Sequence, residues 1–189
     1  FRLWRQHGMG VADTQRHRAK EVIFESYLEL GHNYRLSDIQ AAVGRVQLQR
    51  MPEVIDRRRH QAARYHASLA DIGGLGLQKE PPWARSNWQS FCVRLPSGTD
   101  QRQVMQQLLD DGISTRRGVM CCHREPAYEV EEWFCGDRSE SCGCKPRTCV
   151  KLGRSEDAQD RTIVLPLYHE MTNAAQDRVV TGLREACGA

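Results

Sequence analysis

Fifteen residues near the start of the chain, LGHNYRLSDIQAAVG at positions 30–44, restrict its fold more than any other stretch. Gly31 has the freedom to take φ > 0 and is expected to turn the chain. His32, Asn33, Tyr34 and Arg35 follow it, each with donors suited to an anionic or polar ligand. Ser37, with Gln40 three residues on, makes a capping box, so a helix starts there. Ile39, Ala42, Val43 and Val46 give that helix one apolar face. The polar cluster is thereby held beside a helix N-terminus, where backbone N–H groups favour anions. Two readings fit this stretch equally: a phosphate or carboxylate site, or a polar loop ahead of an ordinary core helix.

The capped helix is expected to run to about residue 50. Pro52 cannot donate a backbone hydrogen bond, so it kinks the helix or opens a second one. Helical spacing continues through Val54, Ile55, Ala62, Tyr65 and Leu69. The run Arg57-Arg58-Arg59 on it reads as a solvated face, since no wider basic field surrounds it. Gly73-Gly74-Leu75-Gly76 ends this helix; it is no dinucleotide fingerprint, because no strand precedes it. Upstream, Val22, Phe24, Tyr27 and Leu28 suggest short, partly buried pieces.

Downstream, residues 88–95 alternate as a strand does, with Trp88, Phe91, Val93 and Leu95 apolar. Asp100 and Gln103 form a second capping box, and Val104, Leu108 and Leu109 are placed toward a core. Gly112 stops that helix, and residues 113–117 read as the next strand. Residues 162–167 make a short apolar strand, set at a sheet edge because it contains Pro166. Thr172 caps a last helix with Val179, Val180 and Leu183 inward. The order predicts an α+β domain: a long helix, then a small, mainly antiparallel sheet with helices packed on one face.

Composition narrows the function classes. A chain of 189 residues can bury a real core in one or two domains. Its 27 basic and 24 acidic residues give a net charge of +3, a mixed surface without a nucleic-acid footprint. No apolar run reaches membrane-spanning length and no signal-peptide pattern opens the chain. FRLWRQHG at the start reads as the interior of a domain, so the chain is expected to be a piece of a longer one. The eight cysteines are expected to be reduced thiols in a cytoplasm.

The segments LGHNYRLSDIQAAVGRVQLQRM, RQHG at positions 5–8, RRRHQAARYHASL, SNWQSFCVRLP, GISTRRGVMCCHREPAY and IVLPLYHEMTNAAQDRVVTGLREA together resemble the DegT/DnrJ/EryC1/StrS aminotransferases. These are pyridoxal-phosphate enzymes of fold type I that place amino groups on nucleotide-linked keto sugars. The resemblance covers nearly the whole chain except a Cys-rich segment near 130–160. It implies that residues 1–36 are the end of a large coenzyme-binding domain and residues 37–70 are connecting helices. Residues 71–189 are then a C-terminal small domain with a Cys-rich insertion at about 130–155.

Transamination on pyridoxal phosphate needs a Schiff-base lysine. In the enzymes this chain resembles, that lysine sits upstream in a Ser/His-rich turn. None of Lys20, Lys79, Lys145 and Lys151 has such a context, so this chain alone is expected to be inactive. The resemblance implies that Asn33 reaches across a homodimer interface to the coenzyme phosphate held by the neighbouring subunit. It also implies substrate contacts for His7, Tyr34, Arg35 and His123, with glutamate as amino donor. Arg116 and Arg117 end a strand and suit the diphosphate of a nucleotide sugar, because guanidinium matches phosphate. For Arg35, a structural ion pair fits as well; for Arg116 and Arg117 plain surface charge does, and His123 reads equally as a packed side chain.

Cys135, Cys142, Cys144 and Cys149 stand at C-x6-C-x-C-x4-C, with Cys92 and the Cys121-Cys122 pair as possible additions. Four thiols can hold structural zinc or an iron–sulfur cluster, though the spacing lacks a C-x2-C pair; free or disulfide-linked thiols are the alternative. Two functions are carried forward. One is the C-terminal part of a sugar-nucleotide aminotransferase. The other is a non-catalytic remnant or metal-stabilised binding module.

Overall fold

The computed structural model describes residues 1, 3–11, 15, 18–24, 26–128, 144 and 147–188. It divides into two compact units, Phe1–Met51 and Pro52–Ala189. In the first, two short segments pair antiparallel through the bridges Gln6↔Asn33 and Met9↔Tyr27. Gly31 matters here for a different reason than the sequence suggests. It is not among the residues with positive φ; instead, a Cβ on it would overlap the backbone of His7 and Gly8. Gly8, at φ 73°, is pressed equally against the Glu29 carbonyl. Bare backbone is what lets these segments approach. Val22, Phe24, Tyr27 and Leu28 are exposed, not partly buried, within this unit.

Helix α1, Asp38–Leu69, begins at the expected capping box. Ser37 N donates to Gln40 Oε1 at 3.0 Å, and Gln40 N donates back to Ser37 Oγ at 3.3 Å. The helix passes through Pro52 without ending, although the proline has no N–H for the carbonyl one turn back. The division between the units falls at this point. Ile39, Val43 and Val46 before it are exposed. Ala62, Tyr65 and Leu69 after it are buried. Arg58 and Arg59 are half-buried, not solvated: Arg59 donates to Glu80 at 3.1 Å and to the Ser86 carbonyl at 2.6 Å.

The second unit is a four-stranded antiparallel sheet of β1 (Gly76–Leu77), β2 (Phe91–Arg94), β3 (Arg116–Arg117) and β4 (Thr162–Leu165), in the order β1-β2-β4-β3. Helices α2 (Gln101–Asp110) and α4 (Asn173–Cys187) pack with the C-terminal turns of α1 on one face. A third short helix, α3 (Gly153–Arg161), leads into β4. Phe91 and Val93 on β2 and Ile163 and Leu165 on β4 are at most 1% exposed and form the centre of the core with Tyr65, Leu69, Leu108 and Leu183. Leu109, expected inward, is exposed.

β4 is an interior strand, not the edge that Pro166 suggested. The ladder ends at Leu165, one residue before the proline, so no sheet hydrogen bond is lost. The Pro166 carbonyl instead accepts from the Tyr65 hydroxyl at 2.8 Å. Two buried glutamines tie α1 to the last helix: Gln176 Nε2 donates to the Gln61 carbonyl at 2.7 Å, and Gln61 Nε2 to the Met171 carbonyl at 3.0 Å.

Helix α3 is seated by charge. Glu156 lies 2.8 Å from His123 Nε2, accepts the Cys149 N–H at 2.6 Å and meets Arg124 at 3.3 Å. Arg124 also pairs with Asp160 at 2.6 Å, and Gln159 Oε1 accepts the Cys121 N–H at 2.6 Å. The hydrogen bond with His123, joined by the Cys149 N–H and the Arg124 charge, outweighs partial burial and holds the Glu156 carboxyl below its usual range.

Two outcomes follow from these contacts. Thr172 Oγ1 accepts the Ala175 N–H at 3.1 Å as the N-cap of α4. Thr172→Ala should therefore cost about 1 kcal/mol in urea unfolding. Glu156 has a lowered folded pKa, so its contribution is complete above the ordinary carboxyl pKa and disappears as pH falls through the folded value. Glu156→Gln should lower the unfolding midpoint at neutral pH and converge with the unsubstituted protein in acid. A gap that stays constant across that range would contradict this.

Candidate functional site

The two short motifs singled out in the sequence lie side by side. The His7 N–H donates to the His32 carbonyl at 3.0 Å, the His32 N–H to Trp4 at 2.6 Å, and the Tyr34 N–H to Arg5 at 2.9 Å. RQHG and GHNYR thus form one miniature ladder, with Gln6 opposite Asn33. His32 and Tyr34 stack with ring centroids 5.1 Å apart and planes at 19°. Alternation along an extended segment puts the Asn33 side chain on the other side from these two rings. Asn33 is exposed, and its amide holds no hydrogen bond among the described residues. His7 is exposed too, at φ 64°. Tyr34 and Arg35 are exposed beside them, with the first residue of α1, Asp38, four residues beyond Tyr34.

The arrangement offers an amide donor, an imidazole, a phenol and a guanidinium on one short stretch, fixed by main-chain hydrogen bonds. Such a set can bind and orient an anion or a polar ligand. No carboxylate or thiol nucleophile stands within the paired motifs themselves.

Arg116, Arg117 and His123 belong to the second unit and serve different surroundings. Arg116 pairs with Val164 and Arg117 with Ile163 across the β3–β4 ladder. Adjacent strand residues point to opposite faces. Arg117 therefore shares the core face, where it lines a cavity with α2 and lies 3.5 Å from Glu125. Arg116 lies on the other face. The strand that was expected to offer both guanidinium groups to one diphosphate separates them.

His123 is buried, and its imidazole is engaged with Glu156. It also lines a cleft of about 390 Å³ with Cys121, Cys122, Tyr128, Leu152 and Ser155. The sequence reading did not include Glu156, Arg124 or Gln159. Glu156 and Gln159 fall on a charged helix without apolar periodicity and Arg124 on the short turn Cys122–Arg124, and the contacts between these two segments span more than 30 residues. Nothing local marks them.

Of the proposed metal ligands, Cys135 and Cys142 lie outside the described residues. Cys149 is buried and Cys144 half-buried. Among the described residues no group of three or more His, Cys, Asp or Glu side chains is placed to hold a metal ion. Burial pushes the thiols of Cys92 and Cys121 above their ordinary pKa, which disfavours the thiolate a metal needs. No described helix is long and apolar enough to cross a membrane.

Comparison with known structures agrees with this fold. The aminotransferase TlmJ from Streptoalloteichus hindustanus superposes with a TM-score of 0.73 at 23% identity, over 99% of this chain and 43% of that one. DesV of S. venezuelae, solved in complex with a ketimine intermediate, gives 0.74 at 26% identity, over 100% of this chain and 43% of that one. Spr1654 of Streptococcus pneumoniae in its PMP form gives 0.76 at 16% identity, over 99% and 44%. The chain thus spans less than half the length of these relatives. The model of the DegT/DnrJ/EryC1/StrS aminotransferase family matches residues 1–184, and the chain belongs to that family.

Proposed function

We propose that this chain is the C-terminal portion of a pyridoxal-phosphate-dependent aminotransferase that acts on nucleotide-linked keto sugars. The observation that carries the reading is the ladder between RQHG and GHNYR, which presents an uncommitted Asn33 amide beside a helix N-terminus. Membership in the aminotransferase family supports it, as does Spr1654, which has been solved in both PMP and PLP forms. On this reading glutamate gives up its amino group and leaves as the 2-oxo acid, and the keto carbon of the sugar receives the group. The chemistry supplied by bound pyridoxal phosphate is an electron sink at the reacting carbon.

This chain's own part is binding and orientation. Asn33, an exposed donor on a rigid backbone, suits an anionic phosphate oxygen. It would serve the coenzyme held by a second subunit, with His7, Tyr34 and Arg35 lining the substrate side. The exposed apolar residues Ile39, Val43 and Val46 favour coverage by another part of the protein or by a second copy. The Schiff-base lysine is then supplied from outside these 189 residues. A homodimer in the cytoplasm, with a shared site and no nucleic-acid or membrane partner, completes the proposal.

The test uses the full-length protein. It should take up pyridoxal phosphate with a visible absorbance band and transfer the glutamate amino group to a keto-sugar nucleotide. The 189-residue chain alone should do neither. Asn33→Ala should raise the coenzyme dissociation constant about tenfold or more, the scale of one hydrogen bond to a charged group, in equilibrium dialysis. Full-length protein that never binds the coenzyme would instead favour a non-catalytic remnant.

A further inference from the structure

We draw no further inference here: the strongest candidate, the cleft between the turn Cys122–Arg124 and the start of α3 that His123 lines with Cys122, Tyr128 and Ser155, restates the substrate contact that the family resemblance already implies for His123, and the imidazole that would make that contact is buried against the Glu156 carboxylate.

Discussion

The second unit depends on the register of β4 between its two neighbours. Phe91 opposite Leu165 and Val93 opposite Ile163 bring four apolar side chains to one face, and everything that packs there follows. A slip of β4 by one residue would turn Val164 inward and send Ile163 and Leu165 to the other face. The same alternation divides the arginine pair, giving one guanidinium to the edge of the core and one to the opposite face. Stability and the distribution of charge are consequences of one pairing.

Local chemistry carried much of the fold in the sequence. Ser37, Asp100 and Thr172 each act within a single turn of helix, and each caps the helix assigned to it. Phe91, Val93, Val179, Val180 and Leu183 were legible for a similar reason, because periodicity records a face without saying what covers it. The unrecognised elements are those defined by partners far away. β1 is two residues long and exists through its pairing with β2. Helix α3 has no apolar stripe and is held by side chains from the segment around His123. Pro166 was read as the mark of an edge strand. A proline one residue past the end of a ladder costs an interior strand nothing, and only the tertiary pairing tells the two cases apart.

The candidate site was legible to a similar extent. Residues adjacent in sequence, such as His32 to Arg35, suggested ligand binding by their types alone. Their pairing with RQHG was beyond any local rule, since it joins segments about 25 residues apart. His123 was noticed as an imidazole, yet its neighbour Glu156 decides its environment.

The backbone of His7 and Gly8 against Gly31, and the Glu29 carbonyl against Gly8, leave no room for a β-carbon at either glycine. A library selected for activity would return both positions as invariant. That invariance would report how closely two stretches of main chain lie, and would say nothing about chemistry. In this motif-dense region the most constrained letters of the alphabet are therefore the ones least informative about what the protein binds.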